Sequence, residues 1–261
     1  MKYAVYQMNL IVGNPQENRE KVSSWINETM EKEKPDVLVL PEMWNTGFTL
    51  AELDKLADED NEPTQSLLQK LAKQHHVNIV GGSIANKKEG KIYNTSLVIN
   101  REGAVVHRYD KIHLVPMLNE HKYLTGGTNQ IETFELEGIK MGVIICYDLR
   151  FPELARKLAL EGAQILHVVA EWPLIRKNHW KYLQLARAIE NQMFIVSSNI
   201  TGSNDTETFA GTSMIIDPWG DVIKVGSEVK EETLIATLDL DAVPKIRESV
   251  PVFSSRVPKL Y

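Results

Sequence analysis

Three side chains able to do covalent chemistry each follow a short apolar run: Glu42 after V-L-V-L-P, Lys111 after V-V-H-R-Y-D, and Cys146 after G-V-I-I. Cys146 is the only cysteine in 261 residues. Singly, each has a plain explanation. A glutamate after a strand is commonly a solvated loop residue, and a lysine after Asp110 a surface ion pair worth little. A free cysteine often serves as a small buried hydrophobe. Together the three are the parts of an acyl-transfer site. A thiol needs a base to become a nucleophile, and the oxyanion it creates needs a donor. A carboxylate beside an ammonium in a partly dry cleft supplies both.

The segment 140–153, K-M-G-V-I-I-C-Y-D-L-R-F-P-E, predicts how the thiol is held. Its β-branched run has the composition of a buried strand. Pro152 suits the first turn of a helix, and Leu154, Ala155, Leu158 and Ala159 follow at helical spacing, with Gly162 as a stop. Cys146 is therefore expected on a strand-to-helix turn, where open α/β sheets build ligand crevices and a helix dipole favours a thiolate. The same periodicities predict a first strand over 3–12, a helix over 15–32, a strand over 36–40 and a solvated acidic segment over 52–62. An amphipathic helix over 64–76 and a strand over 77–82 follow. Hairpins turn at 101–103 and 137–138. Between them 110–127 reads as a long irregular loop, a kind that is usually functional. Further on come strands at 164–170, 193–199, 213–217, 222–225 and 232–238, helices at 176–191 and 241–249, and an extended tail over 251–261. Strands and helices alternate with hairpins, so the expectation is one α/β domain over 1–261 with mixed sheets.

Composition narrows the partners. A net charge of −6 without a basic run argues against nucleic acid or an anionic membrane. No run reaches the roughly 20 apolar residues of a membrane span, and the N-terminus reads as a strand rather than a signal peptide. A cytoplasmic protein is expected. One cysteine rules out an internal disulfide. None of the seven histidines has ligand spacing, so no metal or other cofactor is expected.

The segments L-V-L-P-E-M-W, Y-D-K-I-H-L and G-V-I-I-C-Y-D-L-R-F-P-E, in that order, resemble the three catalytic segments of the nitrilase superfamily of carbon–nitrogen hydrolases. R-A-I-E-N-Q at 187–192 and G-x-S-x-I-I-D-P-W-G at 211–220 extend the likeness over most of the chain. The resemblance implies a four-layer α-β-β-α sandwich whose subunits pair as a homodimer or a higher homo-oligomer. It implies Cys146 as nucleophile, Glu42 as general base and then acid, and Lys111 with the Tyr147 backbone N–H as oxyanion donors. Glu120 matches a second glutamate beside the lysine. Tyr147 stands where true nitrilases usually carry tryptophan, which turns the reading from nitriles to amides.

A-E-W-P-L-I-R-K-N-H-W at 170–180 resembles the omega-amidases, which act on 2-oxo acid amides. That implies a small carboxylated substrate such as 2-oxoglutaramate or a methylthio-oxobutyramate, from transamination or methionine salvage. A cation in the pocket then makes physical sense, with Arg176 as a bidentate clamp. Trp172 and Trp44 are candidates for the pocket wall, and Arg150 for an ion pair that fixes the turn. Other readings on the same residues are an N-carbamoyl amino acid hydrolase, a broad aliphatic amidase or nitrilase, or a module that binds without reacting. A Cys–His hydrolase would use His113 or His179 as base.

Overall fold

The computed structural model describes residues 1–204 and 206–260. Its first strand, β1 (Lys2–Gln7), shows how two cores arise from one sheet: Tyr3 and Val5 face one cluster, Ala4 and Tyr6 another. That is the period-two alternation of a strand covered on both faces.

The chain continues through α1 (Pro15–Lys32), β2 (Val37–Val39), α2 (Leu53–Leu56), β3 (Asp58–Glu59) and α3 (Thr64–His75). Next come β4 (Asn78–Lys88), β5 (Lys91–Ile99), β6 (Val105–Asp110), β7 (Phe134–Leu136) and β8 (Ile139–Ile145). The remainder is α4 (Pro152–Leu160), β9 (Ile165–Ala170), α5 (Lys177–Asn191), β10 (Phe194–Asn199), β11 (Met214–Ile216), β12 (Val222–Val225), β13 (Glu232–Thr237) and α6 (Ala242–Ser249).

One sheet has the order β13-β1-β2-β4-β5-β6, with β3 on the far end of β4; the other runs β12-β11-β10-β9-β8-β7. Each has a parallel centre, β1-β2-β4 and β8-β9-β10, flanked by antiparallel strands. Tyr3, Val5, Val37, Val39 and Val80 of the first sheet pack with Val143, Ile145 and Val169 of the second. The outer face of the first sheet is covered by α1 and α3 through Val22, Trp25, Ile26, Leu68 and Leu71. Leu154, Ala155 and Leu158 of α4 and Trp180 and Ala188 of α5 cover the second. The result is the four-layer α-β-β-α sandwich. Gly142 lets α4 sit close on β8, since a Cβ there would lie 2.6 Å from a Leu158 methyl.

Local chemistry explains the ends. Asn14 caps α1, accepting from the Glu17 N–H, and Pro15 fills the first helical position. His76 ends α3 in the left-handed conformation. Both expected hairpins form, with Glu137 and Gly138 at positive φ in the second.

Three expectations need correction. The fourth strand runs to Lys88, not 82, and turns through Glu89-Gly90 into β5. The acidic segment is not uniformly solvated. Asp58 is buried, accepting from the Thr64 N–H and the Asn45 amide and pairing with Arg19. Residues 250–260 form turns and a short 3-10 turn at Pro258–Leu260 rather than the extended tail expected over 251–261, of which Tyr261 lies outside the described residues. Among the described residues no helix is long and apolar enough to cross a membrane.

Candidate active site

Register brings the reactive residues together. Ile145 of β8 pairs with Val169 of β9, so the two parallel strands end level and Cys146 and Glu171 emerge at the same edge. In the facing sheet β2 and β4 align Val39 with Val80, and Glu42 leaves that edge.

Glu42 is fixed by a β-bulge at Gly81-Gly82 of β4. Ser83 donates its N–H to the Pro41 carbonyl at 3.0 Å, and its hydroxyl accepts from the Met43 N–H. Gly82 has φ +62°, and a Cβ there would lie 1.9 Å from the Pro41 oxygen. The Glu42 carboxylate accepts from Lys111 Nζ at 2.9 Å, Asn94 Nδ2 at 2.8 Å and the Glu171 N–H at 2.8 Å.

Lys111 follows β6, where its N–H donates to Asn94 and its carbonyl accepts from Gly127. Its ammonium is fully buried between Glu42 and Glu120, 3.0 Å from Glu120 Oε1. Glu120 begins a 3-10 turn, and its Oε2 accepts from the Val115 N–H. Burial alone would lower the Lys111 pKa. The two carboxylates outweigh it, so the pKa is raised and the lysine is a cation. Burial likewise lifts Glu120, more than Lys111 draws it down.

Cys146 lies at the strand-to-helix turn, on a 3-10 turn Cys146–Arg150 that leads into α4. Its φ of +47° is a left-handed conformation costing a non-glycine residue about 1–2 kcal/mol. Asp148 holds this bend. Its carboxylate accepts from the N–H groups of Ile145 and His113 and from the Tyr109 hydroxyl at 2.7 Å. Burial, and next the Glu42 charge, push the thiol well above its ordinary range, while Lys111 pulls it down. The resting group is a thiol that needs a base.

Cys146 opens into a cavity of about 30 Å³ whose walls include Tyr147, Arg150, Glu171, Trp172 and Arg176. It shares Phe48, Glu171 and Pro173 with a cavity of about 310 Å³. The structure thus gathers Glu42, Lys111 and Glu120 around the thiol, with Tyr147, Trp172 and Arg176 along the adjoining wall. Trp44 is elsewhere: it is buried in the core between the first sheet and its helices, with its indole N–H on the Gly81 carbonyl. Arg150 makes no ion pair among the described residues. Its guanidinium lies over Trp172 at 4.8 Å and Tyr147 at 5.6 Å. His113 bonds Asp148 at 2.8 Å and stacks on Phe151, and His179 meets Arg150. Neither has Cys146 as a partner.

Sequence reading missed Asn94, Asp148 and Glu171. Glu171 carried the signal that exposed Glu42, a carboxylate directly after an apolar strand. Asn94 lay in the polar Y-N-T-S start of a strand, which gives no sign of facing a carboxylate 52 residues away.

Comparison with known proteins identifies the family. The family model described as carbon-nitrogen hydrolase matches residues 2–248. The 2-oxoglutaramate amidase of Bacillus subtilis is 47% identical over the whole of both chains. The omega-amidase NIT2 of Xenopus tropicalis is 32% identical over 94% of this chain and 91% of its own. Nit3 of Saccharomyces cerevisiae, from branch 10 of the nitrilase superfamily, superposes with a TM-score of 0.90 at 28% identity, covering 98% of this chain and 96% of its own. With a buried lysine between two glutamates beside the single cysteine, and relatives matching from end to end, this chain belongs to the carbon-nitrogen hydrolase family of the nitrilase superfamily.

Proposed function

We propose that this protein is a cysteine-dependent omega-amidase that hydrolyses the terminal amide of a small 2-oxo acid, with 2-oxoglutaramate as substrate. The observation that carries it is the shared chamber: the Cys146 thiol, served by Glu42, Lys111 and Glu120, opens between Arg150 and Arg176. An amide that also bears a carboxylate fits that charge pattern. The 47% identity to a 2-oxoglutaramate amidase supports the same substrate.

In this reading Glu42 accepts the Sγ–H proton as sulfur attacks the amide carbon. The Lys111 ammonium and the Tyr147 N–H stabilise the oxyanion. Glu42 passes its proton to the leaving nitrogen, ammonia departs and a thioester remains. A water then gives a proton to Glu42 and attacks the thioester. Collapse releases the acid and the sulfur recovers its proton. Glu120 holds Lys111 in place, and Arg176, assisted by Arg150, binds the substrate carboxylate over the Trp172 wall.

The chain works as one catalytic domain in the cytoplasm, as a homodimer. Exposed Ile189 on α5 lies against Gly220, next to exposed Trp219, with exposed Tyr182 two turns earlier on the same helix, and this apolar face suits a second copy.

The deciding experiment measures ammonia release from 2-oxoglutaramate, butyramide, an N-carbamoyl amino acid and a nitrile, with Cys146→Ala alongside. Preference for 2-oxoglutaramate, abolished in the variant, is expected. Turnover confined to the carbamoyl compound or the nitrile would sink the substrate assignment and leave the site standing.

A further inference from the structure

Glu171 is buried to 4% exposure, and neither of its carboxyl oxygens has a hydrogen-bond partner. The Phe48 N–H lies near enough to act electrostatically without closing a bond. Native interiors seldom leave such a group unpaired without a use. Its position suggests the use. Glu171 and the apolar Phe48 line all three of the cavity beside Cys146, the larger cavity beyond it and a third small recess lined by Asn9, Gly47 and Phe209, so Glu171 is the polar side chain they have in common. Neither Arg150 nor Arg176 reaches it, although both line the first of these cavities.

Charge settles its protonation. Glu42 and Glu120 already share the buried cation Lys111. A third carboxylate in the same dry region would be uncompensated. Burial and the Glu42 charge accordingly raise the Glu171 pKa well above its ordinary value. The group is a neutral carboxylic acid with an O–H free to donate.

We infer that Glu171 is a specificity-determining residue: its carboxyl donates a hydrogen bond to an oxo or carboxylate oxygen at the end of the substrate distal to the scissile amide. The inference rests on the amidase reading above and extends it. A plain aliphatic amide has no such oxygen and leaves Glu171 unpaired, so the residue selects against it. The acyl chemistry at Cys146 does not require it. The hydrogen bond that Glu171 gives to Glu42 comes from its backbone N–H, so substitution reads the side chain alone.

The test compares kcat and KM for 2-oxoglutaramate and butyramide in the unsubstituted chain, Glu171→Leu and Glu171→Gln, with thermal melts to confirm folding. Glu171→Leu should lower the ratio of kcat/KM between the two amides by about 10- to 100-fold, mainly through KM for the oxo-amide. Glu171→Gln, which keeps a neutral donor, should recover most of that loss. A ratio that Glu171→Leu leaves unchanged, an equal loss on both amides, or a glutamine variant no better than leucine would each overturn the inference while the unsubstituted chain still prefers 2-oxoglutaramate. An unsubstituted chain that prefers butyramide would overturn the substrate reading, and this inference with it.

Discussion

The backbone N–H of Glu171, at the end of β9, donates to Oε2 of Glu42, beyond β2, at 2.8 Å. This bond crosses from one sheet to the other between residues 129 apart in sequence. Lys111 and Asn94 hold the other oxygen of Glu42 from the first sheet, so the carboxylate is clamped by both halves of the sandwich. In the proposed mechanism, preorganisation of this kind would let one carboxylate serve as acceptor and donor without reorienting.

Glu42→Gln keeps the shape of that clamp and removes the proposed base. Turnover should fall by about 10²- to 10⁴-fold, the usual share of a general acid–base group. Rapid-quench kinetics with 2-oxoglutaramate would show whether the loss includes formation of the acyl-enzyme. Turnover within a few-fold of the unsubstituted chain would remove Glu42 from the chemistry.

Lys111→Met leaves Glu42 and Glu120 facing each other without the cation between them. Removing one partner of a buried ion pair costs about 3–5 kcal/mol, measurable by urea unfolding. Lys111 also pulls the Cys146 thiol down, so its loss should slow alkylation by iodoacetamide at fixed pH. Unchanged stability together with unchanged alkylation would contradict the role drawn for this lysine.

Much of the site was legible because each reactive residue ends an apolar run, and strand ends are where α/β sheets gather chemistry. Glu42, Lys111 and Cys146 stood out on that ground, and α1 and both expected hairpins form as the periodicity predicts. What escaped was long-range pairing. Asp58 looked solvated because its neighbours are acidic, yet its partners Arg19 and Asn45 come from other parts of the chain. Arg150 looked like half of an ion pair but lies over two aromatic rings. Trp44 looked like a pocket wall because it follows Glu42 by two residues. The left-handed φ of Met43, +43°, turns the chain between them and sends the indole into the core. Spacing records the order of residues along a strand; it carries no information on which side a tight turn will send them.

Gly82→Ala tests the bulge that aims Glu42. The added Cβ would meet the Pro41 oxygen at 1.9 Å in a backbone with φ +62°. Overpacking and the left-handed conformation together should cost about 3 kcal/mol or more. Any folded fraction should lose activity, because Pro41 precedes the base directly. A fully active, equally stable variant would show that the bulge does not set the position of Glu42.

Asp148 and His113 separate the Glu–Lys–Cys scheme from a Cys–His one. Asp148→Asn retains one acceptor oxygen for the three donors Ile145 N–H, His113 N–H and Tyr109 O–H. It should destabilise the protein by about 2 kcal/mol and lower kcat through a loosened nucleophile turn. His113→Ala removes only the ring that stacks on Phe151 and bonds Asp148. Its turnover should stay within about ten-fold, below the loss expected of a general base. A loss as large as that of Glu42→Gln would favour the histidine.

The pH dependence of stability follows from Glu171. Its folded pKa is raised well above the ordinary value by burial and then by the Glu42 charge. Above the unfolded carboxylate pKa of about 4.3, the unfolded chain has released this proton while the folded chain keeps it. The folded state then binds more protons, so this group's contribution to stability declines as pH rises from there toward the folded pKa. The decline can reach about 1.4 kcal/mol per pH unit for one proton. Glu171→Gln carries no such proton, so the stability of the variant relative to the unsubstituted chain should increase with pH across that window. Urea midpoints for both chains between pH 5 and about 8 measure the difference, a range in which most natural folds are most stable. Glu42, Lys111, Glu120 and Cys146 face Glu171 in both proteins, and their common contributions cancel to the extent that they titrate independently. A difference that stays flat or shrinks with rising pH would mean that Glu171 is already ionised in the folded chain, which would remove the hydrogen-bond donor assigned to it.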